Sequence, residues 1–291
     1  MSYQTIAKSS GSIDSTEGLP IHYDLYVPNA GSDKSYPVII FLHGFKGFKD
    51  WGPFPAVCEE LSSAGFAVVA MNFSLNGVGE SMTEFDQLDL FARETLSQDL
   101  DDVASVIEAL KKGEIGTDKA ELGTDEMGIL GHSRGGHTAV AAAAENEEIV
   151  CLVTWSAVAD YLARWSDEMI EDWKTKGVTE IVNGRTGQVM PLGKVVYEDA
   201  VDNAERVIAL KRVQSLHIPS LFIHAKGDEA VPYREAEKLY RNSPSEDKEL
   251  KLISGSGHTF DGAHPFEEEE FPPALEDAVN STSNWFQYYL Q

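Results

Sequence analysis

From residue 20 onward, apolar runs of strand length alternate with stretches whose apolar residues recur at helical spacing. IHYDLYVP (21–28) alternates apolar and polar residues, the pattern of a strand near a sheet edge. PVIIFLH (37–43) is apolar almost throughout, which suits a strand covered on both faces. FAVVAMNF (66–73), EMGILGHS (126–133), IVCLVTWS (149–156), PSLFIHA (219–225) and ELKLISG (249–255) read as further buried strands. Between them, FPAVCEELSSA (54–64) predicts a helix closed by Gly65. The stretch from Leu90 to Lys112 places Leu96, Leu100, Val103, Ile107 and Leu110 on one helical face. TAVAAAAE (138–145) and residues 274–290 complete the helices. This alternation predicts an α/β fold: a mostly parallel central sheet, right-handed crossovers, and helices on both faces.

Residues 160–214 break the rhythm, because a simple crossover needs far fewer. TEIVNGRTGQVMPL (179–192) reads as a β-hairpin turning at Asn183-Gly184, a pair that tolerates positive φ. Helical patterns flank it, DEMIEDWKTK before and YEDAVDNAERVIALKRV after. The expected division is a core of 1–159 with 215–291, and an inserted cap of 160–214 carrying the hairpin. The run EEEE at 267–270 is expected to be a solvated loop.

Chemistry concentrates in four places. GHSRGG (131–136) follows an apolar strand and precedes an alanine-rich helix. A serine at so sharp a turn must take a strained backbone, and Gly131 and Gly135 remove the side chains that would collide there. Ser133 is the candidate nucleophile. A serine hydroxyl needs a base, and His258 in SGSGHTF follows a buried strand on a flexible loop. The base needs a carboxylate to fix its tautomer. Asp228 in HAKGDEAVP is favoured, with adjacent Glu229 as the alternative. Finally, HGFKGFKDW begins at His43 after a buried strand. Its Phe45 N–H and the N–H of Arg134 are the candidate oxyanion donors, and His43 is expected to brace the loop. His132, beside the nucleophile, is expected to pack.

Composition narrows the partners. The 291 residues include 48 acidic and 23 basic ones, a formal charge of −25, so a nucleic-acid or anionic-membrane partner is not expected. Arg164 and Arg185 either bind a substrate carboxylate or pair with surface acids, and surface pairing is the favoured expectation. Cys58 and Cys151 lie in apolar contexts and read as buried free thiols. No helical H-E-x-x-H or comparable spacing supports a metal site, and no dinucleotide or phosphate-loop fingerprint occurs. The start, MSYQTIAKSSGSIDS, has no apolar run after a basic end, and no stretch of about 18 apolar residues occurs. A cytoplasmic protein is expected.

His43-Gly44-Phe45, GHSRGG, Gly227-Asp228 and Gly257-His258, in the order Ser…Asp…His, together resemble the α/β-hydrolase superfamily over nearly the whole chain. Within it, the short HGF loop, the elbow and the hairpin-bearing cap resemble dienelactone-hydrolase-like and feruloyl (cinnamoyl) esterase-like carboxylesterases. Dienelactone hydrolases proper use a cysteine where this chain has Ser133. Prolyl-oligopeptidase-type peptidases share the catalytic domain but carry a β-propeller for which this chain has no room. The resemblance implies an acyl-enzyme mechanism without a cofactor, acting on a small-molecule carboxylic ester, with aryl or cinnamoyl acyl groups as candidates. A homodimer is compatible with it. A serine aminopeptidase or thioesterase would carry the same triad, and a non-catalytic binding protein on this scaffold is the remaining reading. Trp155, Tyr161, Trp165, Trp173 and Tyr197 lie in or beside the cap, where they either shape a pocket or pack the cap onto the core.

Overall fold

A computed structural model describes residues 5–29 and 34–291. The apolar runs pair into one sheet of eight strands: β1 (Ile6–Asp14), β2 (Pro20–Pro28), β3 (Ser35–Leu42), β4 (Ala67–Met71), β5 (Glu121–His132), β6 (Ile149–Trp155), β9 (Ser220–Ala225) and β10 (Lys248–Ile253). A separate hairpin joins β7 (Val178–Val182) to β8 (Val189–Gly193). The main sheet runs β1-β2-β4-β3-β5-β6-β9-β10. β1 with β2 and β2 with β4 are antiparallel, and the other pairs are parallel.

Alternation along the strands divides the core in two. Val38, Ile40 and Leu42 of β3 face one layer, while Ile39 and Phe41 face the other. The first layer is closed by the helix Leu96–Lys111, through Leu100, Val103 and Ile107, and by the alanine-rich helix Arg134–Ala143. Phe54, Val57 and Leu61 of the helix Phe54–Ser63, and Leu275, Val279 and Phe286 of the helix Pro273–Leu290, close the second. Covering both faces explains why the parallel strands read as continuous apolar runs. Among the described residues no helix is long and apolar enough to cross a membrane.

Two local readings need correction. The edge position expected for residues 21–28 belongs to β1, which pairs with β2 along its full length. IAKSSGSID has few apolar side chains, and beyond the backbone ladder it is tied down by Ser10 donating to Asp24 and Lys8 pairing with Asp24, polar contacts that no apolar pattern announces. The hairpin turn is also longer than Asn183-Gly184 suggests. Asn183 and Gln188 close it, and Gly187, at φ 73°, takes the positive φ. Cys58 and Cys151 are buried free thiols, as expected. Glu267–Glu270 lie exposed, as expected.

β3, β5, β9 and β10 run parallel, so the loops bearing Phe45, Ser133, Asp228 and His258 all leave from carboxyl ends of strands. Such ends form the rim where open α/β sheets bind ligands.

Candidate active site

Ser133 sits alone between the last residue of β5 and the first turn of the helix Arg134–Ala143, at φ 57° and ψ −115°. No ordinary side chain prefers that conformation. It is locked from both sides: Ser133 N–H donates to the Trp155 carbonyl at 2.8 Å, and Ser133 C=O accepts from His137 N–H at 3.1 Å. Close packing makes the flanking glycines obligatory. A Cβ on Gly131 would lie 2.1 Å from the Gly135 carbonyl oxygen, and one on Gly135 would lie 2.3 Å from that of Leu42. Arg134 opens the helix, whose first-turn N–H groups have no partner within it.

Asp228 is buried and its carboxylate collects four donors. Oδ1 accepts the N–H groups of Ala230 at 2.9 Å and Val231 at 2.8 Å. Oδ2 accepts His258 Nδ1–H at 2.7 Å and faces His224 Nε2 at 3.2 Å. Burial alone would raise its pKa, but the hydrogen bonds from His224 and His258 outweigh burial and hold it well below the usual carboxylate range. An ionised carboxylate only accepts, so His258 carries its proton on Nδ1 and leaves Nε2 as a free base. Glu229, the alternative carboxylate, is exposed and turned away from this bond.

His132 does more than pack. Burial, reinforced by His258, pushes its pKa down to about 3, so the ring is neutral. Its Nε2–H donates to the His258 carbonyl at 3.0 Å, and the two rings lie 4.8 Å apart. The residue preceding the candidate nucleophile therefore fixes the loop carrying the candidate base. His43 is likewise buried and neutral, its pKa lowered to about 4, and its Nδ1–H donates to the Gly44 carbonyl at 2.9 Å. That is the bracing role expected of it.

Ser133, His258, Phe45 and Arg134 line one cavity of about 400 Å³. Of the five aromatics beside the inserted segment, Tyr161 and Trp165 line this cavity. Trp173 and Tyr197 stack on each other behind Trp165, at 5.3 Å, and Trp155 is committed to Thr282 in the core. Surface pairing fails for both arginines. The Arg164 guanidinium donates to the Ala230 carbonyl at 2.7 Å and lines the cavity, and Arg185 lies over the Phe48 ring at 5.4 Å. Arg164 is thus tied to a carbonyl at the cavity and Arg185 to an aromatic face, and among the described residues neither has an ion-pair partner.

Sequence reasoning missed two supports. The Arg134 side chain is buried, with Nε donating to Asp99 at 2.8 Å and Nη2 to the Glu94 carbonyl at 2.9 Å. The signal was there: Asp99 and Asp102 interrupt the apolar face of the predicted helix, and a charge inside such a face needs a partner. The other support is His224, wholly buried in β9, whose Nε2–H is shared between the Val231 carbonyl at 2.8 Å and Asp228. It lies four residues before Asp228, and only the strand-to-loop bend brings them together. His224 is thus a positioning residue. His224→Leu is expected to lower kcat about 10- to 100-fold with little change in KM, the cost of losing a bond to a charged group. The acid limb of the kcat profile should move to higher pH, because a carboxylate that accepts one bond fewer holds the imidazolium more strongly, and His224→Gln, which keeps a donor, should recover most of the loss. Unchanged kcat and an unmoved limb in His224→Leu would reduce the residue to packing.

The sequence profile of the prolyl oligopeptidase family matches residues 54–270. An uncharacterized 31.7 kDa protein of Escherichia coli is 26% identical over 258 residues, covering 84% of this chain and 79% of that one. The uncharacterized peptidase YuxL of Bacillus subtilis is 22% identical over 260 residues, covering 89% of this chain and 35% of that protein. Among solved structures, Est1E of Butyrivibrio proteoclasticus with ferulic acid bound superposes with a TM-score of 0.70 at 22% identity, covering 96% of this chain and 99% of that one.

Proposed function

The chain belongs to the prolyl oligopeptidase family and has the α/β-hydrolase fold, and from that premise we propose that it is a serine carboxylesterase working through Ser133, His258 and Asp228. The observation that carries this reading is the 2.7 Å bond from His258 to Asp228 at the rim of the cavity that Ser133 also lines. Ser133 Oγ attacks the ester carbonyl while His258 Nε2 takes its proton, and Asp228 stabilises the imidazolium. The oxyanion is held by the N–H groups of Phe45 and Arg134. His258 then returns the proton to the leaving alcohol. A water, deprotonated by the same nitrogen, attacks the acyl-enzyme and releases the acid, restoring Ser133. Residues 160–214 serve as a cap, contributing Trp165, Ile181 and Leu192 to the cavity wall.

An apolar wall with Tyr161 and Trp165 suits an aryl or cinnamoyl-type acyl group, in line with the ferulic acid bound by Est1E. Family membership and the likeness to YuxL favour a second reading, a serine peptidase. An aminopeptidase, however, needs an acid to hold the free ammonium of its substrate. Among the described residues no carboxylate lines the cavity. A panel of p-nitrophenyl esters, an acyl thioester and aminoacyl p-nitroanilides separates the readings. The esters are expected to be cleaved in preference to the others; preference for the anilides would replace the esterase reading by the peptidase one.

A further inference from the structure

The charge of the cavity runs against the charge of the chain. Acidic residues outnumber basic ones 48 to 23, yet the charged side chains lining the cavity besides His258 are Lys46, Arg134 and Arg164, all cationic. Arg134 is already matched, since its guanidinium turns to Asp99 and the Glu94 carbonyl. Lys46 and Arg164 are not. Lys46 Nζ reaches the Val182 carbonyl at 3.4 Å and Arg164 donates to the Ala230 carbonyl, and among the described residues neither has an ion-pair partner.

Lys46 is also held at φ 56°, a backbone conformation where glycine is the usual occupant. A long cationic side chain is thus kept at a position whose backbone favours none. Burial pushes its pKa below the ordinary lysine value, as happens when a cation loses water and gains no partner. Much of the remaining wall is apolar, with Met169, Ile181, Leu192 and Val196 among its residues.

We propose that this cavity takes an ester carrying a second, ionised carboxylate, held by Lys46 and Arg164 beyond an apolar spacer. The proposal rests on the serine-esterase reading and narrows its substrate class. The overall charge of −25 does not forbid an anionic substrate. Salt screens exposed charges beyond about 8–10 Å, so two cations in contact with the ligand outweigh acids farther away.

The test compares two substrates differing in one charge, p-nitrophenyl hydrogen suberate and its ω-methyl ester, with 4-carboxyphenyl and phenyl butyrate as the pair that moves the carboxylate to the alcohol side. At low salt the wild-type ratio of kcat/KM, charged over neutral, is expected to be about tenfold in one pair, and about threefold lower in Lys46→Gln or Arg164→Gln, the scale of an exposed ion pair. In the double variant the ratio should approach one, and added salt should erode it in wild type. A wild-type ratio at or below one in both pairs, or one the double variant leaves intact, overturns the carboxylate site while the esterase reading stands. Cleavage of none of the four esters overturns the site as well, and fluorophosphonate labelling of Ser133 then decides whether the esterase reading falls with it.

Discussion

Ser133→Ala is expected to lower kcat on p-nitrophenyl butyrate by about 10⁵-fold and to abolish fluorophosphonate labelling, because nucleophile and base act as a unit whose loss leaves only binding and the oxyanion donors. The fold should survive. The hydroxyl donates to nothing that holds the elbow; the three hydrogen bonds there, with Trp155, His137 and Val158, belong to the Ser133 backbone. A second variant separates chemistry from strain. Ser133→Gly removes the same oxygen but adopts φ 57° freely, so it should be more stable than Ser133→Ala by about 1 kcal/mol. Equal unfolding midpoints for the two would argue against strain at this position. An alanine variant retaining a tenth of wild-type turnover would remove Ser133 from the mechanism altogether.

The second large effect lies beneath the elbow. Glu94, Asp99 and Asp102 are buried, and burial raises their pKa values to about 8, about 6 and about 7. Near neutrality Glu94 is therefore mostly protonated, and Arg134 with Asp99 forms the charge-compensated pair. Asp99→Leu strands the guanidinium in the core and should cost about 3–5 kcal/mol, whereas Asp99→Leu with Arg134→Met removes both charges and should recover most of it. Since the candidate oxyanion donor is the backbone N–H of residue 134, the double variant should turn over p-nitrophenyl butyrate as the wild type does. A double variant as unstable as the single one would show that the pair itself, rather than the unpaired charge, sets the cost.

The same cluster imposes a pH dependence. Glu94, Asp99 and Asp102 have folded pKa values above the ordinary 4.5, 3.8 and 3.8, so their contribution is complete below about pH 4 and is lost as pH rises through 6 to 8. His43, His132 and His137 act in the opposite sense. Burial lowers them from 6.5 to about 4, 3 and 4, and their contribution is present above 6.5 and lost as pH falls toward 4. The two sets oppose each other in mild acid and to about pH 7, above which the carboxyls outweigh the histidines. Unfolding free energy should therefore decline from about pH 7 to 8.5, by up to about 1.4 kcal/mol per pH unit for each proton released. Urea midpoints that rise over that interval would contradict this.

Much of the molecule was legible in advance, for a local reason. Apolar runs such as PVIIFLH mark buried parallel strands wherever they occur, and GHSRGG carries its own steric logic, because both glycines are demanded by backbone atoms within five residues or on the adjoining strand. Helix boundaries such as Asp167–Lys176 follow from a serine cap before and a glycine after, again local chemistry. β1 escaped because a ladder supported by polar contacts to Asp24 leaves no apolar pattern in the sequence.

By itself, then, the sequence determined the order of the buried strands and their main helices, the strained serine and the candidate base and acid, since each depends on neighbours close in the chain. Only the tertiary structure decided that Asp228 rather than Glu229 meets His258, that His132 and His224 hold that pair in place, and that Arg164 lines the cavity. Those outcomes hinge on distances between loops leaving different strands, and such distances are set by how the whole sheet twists and packs, which no local pattern encodes.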